Sequence, residues 1–210
     1  MIKNYKDKNI AVIGLGYVGL TLAVTLAEIG FNITGIEKNS KTLKSLKNKK
    51  PHFYEPGLEN KFSKQLKNKK FNVLKNIPKI NNFNVFIISV GTPLNNNKPN
   101  LDVIEKATKE VCETFNNNSL IIFRSTVPLG TTEKKLLKIL KKSKKEFDLC
   151  FCPERTAQGT ALVELRKMPQ VIGGINNQSS MRAEKLFKLV TPNVNIVKNI
   201  LTAELTKLID

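Results

Sequence analysis

The sequence predicts an α/β protein built on a doubly wound, mostly parallel sheet. Short apolar runs recur along the 210-residue chain, and segments with helical periodicity separate them. These runs are apolar throughout rather than alternating, which is typical of strands covered by helices on both faces of a sheet. The first run also leads directly into a glycine-rich turn, which favours the same architecture.

The elements follow in a regular order along the chain. A first strand is expected at 9–13, a helix at 17–29, a second strand at 32–37, and a second helix after Ser40. Further strands are expected at 71–74, 84–90, 119–123, 148–151 and 170–173. Helices at 101–115, 130–142 and 178–190 separate the later strands. Since no flexible linker interrupts this alternation, we predict one domain over residues 1–198.

The remaining residues, 199–210, begin one more helix. Leu201, Leu205 and Leu208 fall at positions i, i+4 and i+7, so one face of that helix is apolar. The sequence ends at Asp210 without a Gly or Asn that would cap the helix. We therefore expect this segment to be the start of a longer connecting helix in a truncated chain.

The composition argues against two classes of partner. The formal net charge is +18, but the lysines that carry it cluster at expected helix ends and exposed helix faces. No aromatic-rich basic sheet, recognition helix or zinc finger accompanies the charge, so we expect no nucleic-acid partner. Lys and Asn interrupt every apolar stretch, so we expect no membrane partner.

The N-terminus and the cysteines indicate a cytoplasmic protein. Charged residues near the start lead at once into the first strand, without the long apolar region of a signal peptide. The three cysteines are Cys112, Cys150 and Cys152. Their odd number and their spacing argue against a disulfide framework or a metal site, so we expect reduced, mostly buried thiols.

The glycine-rich turn is the first motif that carries chemistry. Gly14, Gly16 and Gly19 match the pattern G-x-G-x-x-G between the first strand and the first helix. The first glycine permits a tight turn, the second lets a pyrophosphate approach the backbone, and the third lets helix and strand pack closely. The N–H groups of Tyr17 and Val18, at the start of the helix, then point towards the phosphates.

An acidic residue closes the second strand. Glu37 lies about twenty residues beyond the turn, where a carboxylate accepts hydrogen bonds from the adenosine ribose and repels a 2′-phosphate. Lys38 and Lys41 lie nearby and offset part of that repulsion. We therefore predict a Rossmann-like domain that prefers NAD to NADP, although this turn alone does not separate a dehydrogenase from a flavin protein.

Three loops after the later strands contain small hydroxyl residues or charges next to proline. They are the segments SVGTP at 89–93, RSTVPLGTT at 124–132 and PER at 153–155. In a doubly wound sheet, ligands bind outside the carboxyl ends of the strands. We expect Thr131 and Thr132 to be helix caps. Glu154 is instead a candidate base or water-orienting group.

Taken in order, these segments resemble one family of enzymes. The family they resemble is that of the UDP-glucose/GDP-mannose dehydrogenases, and the segments that carry the resemblance are GLGYVGL at 14–20, EPGL at 55–58, SVGTP at 89–93, STVPLGTT at 125–132, PERTAQGTALVEL at 153–165, PQVIGG at 169–174 and TAELTKL at 202–208. The resemblance spans essentially the whole chain. Arg155 resembles the branch that acts on UDP-N-acetylhexosamines, whereas Gln158 stands where many relatives carry Glu.

The resemblance implies a nucleotide-sugar 6-dehydrogenase. Two NAD-dependent oxidations would convert the C6 alcohol of a UDP-sugar into a carboxylate, through a thioester on a cysteine. It implies that Thr126 lies beside the nicotinamide, that Glu154 assists the hydrolysis of the thioester, and that Lys207 stabilises the oxyanions.

From the motifs and the resemblance together we expect three sets of site residues. The catalytic set is Thr126, Glu154 and Lys207. The set that binds the substrate is Glu154, Arg155, Gln158 and Lys207. The set that binds NAD is Gly14, Gly16, Tyr17, Val18, Gly19, Glu37, Val90, Thr92, Ser125 and Thr126.

The nucleophilic cysteine of that family is missing from these residues. Its usual setting lies well downstream, and none of the three cysteines here matches the motif. We therefore expect the N-terminal part of a longer, homo-oligomeric dehydrogenase that is inactive alone. The alternative is a stand-alone, non-catalytic NAD-binding module or an inactive gene fragment, and the coding sequence beyond Asp210 would separate the two. A relative of the 6-phosphogluconate or 3-hydroxyacid dehydrogenases is a third, weaker possibility.

Two residues in the loop KKPHFYEPGL stay outside the catalytic set. We expect His52 to be a packed loop side chain rather than a general base. We expect Glu55 to cap the helix that starts near Gly57.

Overall fold

An eight-stranded, mostly parallel sheet lies at the centre of the computed structural model, which describes residues 2, 5–96 and 98–209. The strands are β1 (Asn9–Ile13), β2 (Asn32–Ile36), β3 (Phe71–Leu74), β4 (Val85–Ile88), β5 (Leu94–Asn95), β6 (Lys98–Pro99), β7 (Ser119–Phe123), β8 (Phe147–Phe151), β9 (Gln170–Gly174) and β10 (Val194–Ile196). The main sheet has the order β10-β9-β8-β7-β4-β1-β2-β3, while β5 and β6 form a separate hairpin. The predicted fold class is confirmed.

Helices cover both faces of the sheet. They are α1 (Tyr17–Ile29), α2 (Ser40–Lys47), α3 (Leu58–Lys67), α4 (Asp102–Thr114), α5 (Leu137–Leu140), α6 (Ala161–Lys167), α7 (Asn177–Phe187) and α8 (Ile200–Ile209). Alternate side chains of β1 enter two separate cores: Ile10 and Val12 join one, and Ala11 and Ile13 join the other. Both faces of the strand are therefore buried, which explains its continuous apolar sequence.

One strand departs from the predicted direction. Strand β9 runs antiparallel to β8, with Phe151 opposite Gly173 and Cys150 opposite Gly174. The other strand on that side, β10, is parallel to β9. The first residue of β9, Gln170, therefore lies at the edge of the sheet where β7 and β8 end, and it becomes available to the site.

Several elements differ from the sequence prediction. The short helix α6 and the strands β5, β6 and β10 were not predicted. The helix predicted at 130–142 is instead a π-helical segment (Thr132–Leu136), α5 and a 3₁₀ turn (Lys141–Ser143). The last predicted segment is α8, whose Ile200 and Ala203 are fully buried, although Asp210 lies outside the described residues.

The sequence Leu-Lys-Asn-Lys-Lys occurs twice, at 46–50 and 66–70, and it ends α2 and α3 in the same way. The N–H groups of Lys49 and Lys69 donate to the carbonyls of Leu46 and Leu66. These lysines have φ values of 64° and 55°, in the left-handed region where glycine usually ends a helix. The lysine clusters thus lie at helix ends, as predicted.

In the described part of the chain, no helix is both long and apolar enough to span a membrane.

Candidate functional site

The glycine-rich turn has the backbone geometry that its spacing predicts. Gly14 has φ +87°, which the tight turn after β1 requires. A Cβ atom added to Gly19 would lie 1.9 Å from the Gly14 carbonyl oxygen, so only glycine allows α1 to approach β1 this closely. No described atom lies within 4 Å of a Cβ added to Gly16, so the backbone there is open to a ligand.

The start of α1 is suited to bind an anion. Gly16 is the N-cap residue and offers no side-chain oxygen to the first N–H groups of the helix. No acidic residue occupies the first turn of α1. The unsatisfied N–H groups and the positive end of the helix dipole are therefore available to a pyrophosphate.

A cavity of about 530 Å³ lies between this turn, the end of β2 and helix α4. Both carboxylate oxygens of Glu37 are held at its wall, since they accept hydrogen bonds from the N–H groups of Leu15 (3.1 Å) and Asn39 (2.8 Å). Lys38 forms an ion pair with Glu110 at 2.9 Å. The neighbouring cation is thus already paired, and it offsets the negative charge of Glu37 less than the sequence suggested.

A second cavity of about 300 Å³ adjoins the first. Gly16, Ser89, Val90 and Gly91 line both cavities. The second cavity is also lined by Tyr17, Val18, Thr92, Arg124, Ser125, Thr126, Glu154, Thr156 and Lys207. The three expected catalytic residues, Thr126, Glu154 and Lys207, therefore meet in one cavity although they lie far apart in the sequence. We call it the reaction cavity.

Two hydrogen bonds fix the loops that carry the hydroxyl residues. The hydroxyl of Ser125 donates to the carbonyl of Val90 at 2.7 Å. The hydroxyl of Thr92 donates to the carbonyl of Thr126 at 2.6 Å. The ends of β4 and β7 are thus joined, which leaves the exposed side chain of Thr126 at the wall of the reaction cavity.

A buried ion pair between Arg124 and Glu154 lines the same cavity. Arg124 is 1% exposed, and its Nη2 lies 2.5 Å from Oε2 of Glu154. Burial by itself raises the pKa of Glu154, but the charge and hydrogen bond of Arg124 and two backbone N–H groups outweigh burial, so this pKa is lowered. Glu154 is therefore a carboxylate at neutral pH.

The loop that follows Glu154 is held against α1 and against the loop at 51–57. The hydroxyl of Tyr17 donates to the carbonyl of Ala157. Burial, with the charge of Glu55 second, raises the pKa of Tyr17 to about 12, so this hydroxyl keeps its proton. Arg155 and Gln158 lie on the same loop but outside the reaction cavity.

The expectations for Glu55 and His52 need correction. The carboxylate of Glu55 accepts hydrogen bonds from the N–H groups of Gly159 (2.8 Å) and Leu162 (3.3 Å), so it caps α6 rather than α3. Glu55 caps the more distant helix because the loop at 51–57 packs against a segment about one hundred residues later in the sequence. His52 is more exposed than expected, although its ring makes a T-shaped contact with the Phe53 ring, with the centroids 5.0 Å apart.

Helix α8 carries Lys207 to the reaction cavity, and Glu204 docks this helix. The Glu204 carboxylate is 1% exposed and accepts hydrogen bonds from the N–H groups of Gly130 and, at 2.9 Å, Thr132. Thr131 occupies the N-cap position of the segment Thr132–Leu136, as predicted, but its side chain does not cap it, and Thr132 is not a cap residue. Thr131 donates its hydroxyl to Pro128, and the Thr132 hydroxyl has no partner among the described residues.

The three cysteines are buried, as predicted. Burial raises the pKa of Cys152 to about 11 and raises that of Cys150 well above its usual range. Such thiols are poor nucleophiles at neutral pH. Among residues 2, 5–96 and 98–209, no cluster of His, Cys, Asp and Glu could hold a metal ion.

Three residues of the site were not predicted from the sequence. Arg124 directly follows the apolar strand β7. A charged residue next to a buried strand indicates that its side chain has a buried partner. Glu204 belongs to the quoted segment TAELTKL, three residues before Lys207. Gln170 has no comparable signal, because its role depends on the reversed direction of β9.

Comparison with known proteins identifies related sequences. Residues 8–191 match the model of the UDP-glucose/GDP-mannose dehydrogenase family, NAD binding domain. The chain is 34% identical to the UDP-N-acetyl-D-mannosamine dehydrogenase of Pyrococcus horikoshii over 205 residues, which is 96% of this chain and 49% of that protein. It is also 34% identical to the enzyme of the same name from Methanocaldococcus jannaschii, over 99% of this chain and 48% of that protein.

Solved structures agree with these relatives. The UDP-D-ManNAc dehydrogenase of P. horikoshii superposes with a TM-score of 0.91 at 32% identity, over 96% of this chain and 49% of that one. A UDP-glucose dehydrogenase from Pyrobaculum islandicum superposes with a TM-score of 0.87 at 26% identity, over 98% and 49%. The chain spans about half the length of the curated relatives that it matches.

Proposed function

This chain belongs to the UDP-glucose/GDP-mannose dehydrogenase family, and we propose that it is the NAD-binding part of a nucleotide-sugar 6-dehydrogenase. The main support is the meeting of Thr126, Glu154 and Lys207 in a cavity that adjoins the glycine-rich turn. The substrate we propose is a UDP-sugar, with UDP-N-acetylhexosamines ahead of UDP-glucose, since two relatives are named for UDP-N-acetyl-D-mannosamine.

The NAD site we propose extends through both cavities. The pyrophosphate would bind at Gly14, Gly16 and the N–H groups of Tyr17, Val18 and Gly19, and Glu37 would accept hydrogen bonds from the ribose. Val90, Thr92, Ser125 and Thr126 would surround the nicotinamide. When it is bound, NAD supplies the acceptor for the hydride that leaves C6 of the sugar.

The chain's own residues supply positioning and charge. The exposed hydroxyl of Thr126 would orient the reacting hydroxyl or a water molecule. Lys207, half-buried on α8, would stabilise the negative charge that develops on the sugar oxygen. Glu154 would act beside them on the same wall, and Arg155 and Gln158 would bind the substrate from the loop above.

The thiolate for the second oxidation does not come from Cys112, Cys150 or Cys152 in our proposal. Cys150 and Cys152 are buried, and their raised pKa values keep them as thiols. We therefore propose that the full-length protein supplies this group and acts as a homo-oligomer, in the cytoplasm. This 210-residue chain should then form no uronic acid from a UDP-sugar and NAD.

Titration calorimetry with NADH and NADPH tests the proposal. We expect NADH to bind more tightly, and we expect Glu37→Gln to reduce this preference at least tenfold, or by about 1.4 kcal/mol. Tighter binding of NADPH by the wild-type chain would overturn the cofactor assignment. Binding of NADH without any binding of a UDP-sugar would favour a non-catalytic NAD-binding module.

A further inference from the structure

The buried surroundings of Glu154 bear on its part in the reaction. Its carboxylate is 4% exposed and already accepts three hydrogen bonds. Oε2 accepts from Arg124, and Oε1 accepts from the backbone N–H groups of Arg155 (2.8 Å) and Thr156 (3.0 Å). All three donors stabilise the charged form of the carboxylate and not the protonated form.

Arg124 is itself held in one orientation. Its Nη1 and Nη2 each lie 3.2 Å from Oε1 of Gln170, and Nη1 lies 3.1 Å from the sulfur of Cys152. The guanidinium carbon lies 5.2 Å from the centre of the Phe187 ring. The two Nη atoms thus share the Gln170 oxygen, and an arginine fixed in this way presents Nη2 to the carboxylate without further loss of side-chain freedom.

We propose that Arg124, together with Gln170, is a positioning residue that holds Glu154 as a permanently charged hydrogen-bond acceptor at the reaction cavity. This inference rests on the proposed function and refines it. A protonated Glu154 would leave the charge of Arg124 buried without a partner, which is strongly unfavourable. The charged carboxylate is therefore available to accept a hydrogen bond from water or a substrate hydroxyl in that cavity.

Other titratable groups also face Glu154. Cys152 directly follows β8, two residues before Glu154. Tyr17 lies on α1, and Lys207 lines the same cavity from α8. Cys152 and Tyr17 are neutral at neutral pH because their pKa values are raised to about 11 and about 12. Arg124 is therefore the group among these that makes direct charged contact with the carboxylate.

Carbon-13 NMR of the whole chain labelled at glutamate Cδ tests this inference, with Glu154→Gln identifying the resonance. In the wild type, Glu154 should stay ionised at a pH where the exposed glutamates are already protonated. Arg124→Met should raise its titration midpoint, and Arg124→Lys should return the midpoint towards that of the wild type. Gln170→Leu should raise it less than Arg124→Met does.

Arg182→Met is the matched control. Arg182 forms ion pairs with Asp7 and Asp148 at the other edge of the sheet, so its loss should leave the Glu154 resonance unchanged. The inference is overturned if wild-type Glu154 titrates with the exposed glutamates, or if Arg124→Met leaves its midpoint unchanged. Should Arg124→Met fail to fold, the wild-type titration and Gln170→Leu decide.

NADH binding, followed by fluorescence on the same samples, keeps the two proposals apart. A wild-type chain whose Glu154 stays ionised but which binds no NADH would count against the proposed function alone. A wild-type chain that binds NADH but whose Glu154 titrates normally would count against the present inference alone.

Discussion

Replacement of Glu204 by Gln should weaken the attachment of α8 to the rest of the chain without unfolding the core. The wild-type carboxylate accepts hydrogen bonds from two buried N–H groups, of Gly130 and Thr132. Glutamine keeps one acceptor oxygen and turns its amide group towards the other N–H. The loss of one charge-assisted hydrogen bond costs about 1.5–3 kcal/mol, and loss of the charge at a helix start adds about 0.3–1 kcal/mol.

Hydrogen–deuterium exchange is the direct assay of this change. A loss of about 2 kcal/mol corresponds to roughly 30-fold faster exchange of the α8 amides, since about 1.4 kcal/mol is a factor of ten. The protection of α1 should stay unchanged. Glu184→Gln is the matched control, because Glu184 on α7 forms a surface ion pair with Lys188, just after that helix. Unchanged exchange in α8, or equal acceleration throughout the chain, would refute this account of Glu204.

Four further outcomes are expected. Gly19→Ala should lower the free energy of unfolding by about 1–3 kcal/mol and abolish NADH binding, because its Cβ would overlap the Gly14 carbonyl; calorimetry that shows normal binding would contradict this. Lys49→Gly and Lys69→Gly should each raise the free energy of unfolding by roughly 0.5–1 kcal/mol, because their backbone is left-handed; urea denaturation measures this. The three cysteines should react with a thiol reagent only after unfolding; rapid reaction of the folded chain would show that a thiol is accessible. The lowered pKa of Glu154 should stabilise the fold above the pKa of an unfolded glutamate, and this contribution should disappear as the pH falls through the native pKa; thermal melts of Glu154→Gln should therefore show a weaker loss of stability in acid than wild-type melts.

The sequence predicted the strands and helices that have a strong apolar period. Runs such as SLIIF at 119–123 are buried at every position, and their hydrophobicity alone identifies them. It did not predict α6 or β10, which have seven and three residues and too short a pattern. The direction of β9 also has no signal within the strand, because it depends on the path that the chain takes between β8 and β9.

In the site, too, the residues in a local sequence pattern were predicted and the long-range contacts were not. Gly14, Gly16, Gly19 and Glu37 were identified because their spacing reflects local backbone geometry. Glu154 was a candidate because it follows a strand, whereas the roles of Thr126 and Lys207 came from the resemblance, and the fold brings all three to one cavity. Contacts such as Glu55 with α6 join segments about one hundred residues apart, and no local pattern encodes them.

The reversed strand β9 determines how the chain runs from β8 along the border of the reaction cavity. A parallel strand after β8 would have required residues 152–169 to pass beneath the sheet to its opposite border. Because β9 starts near the point where β8 finishes, that stretch returns on the same border of the sheet. Its more exposed residues, 155–160, can therefore vary without disturbing a crossover, whereas Glu154, Leu162 and Leu165 are buried and tied to the scaffold.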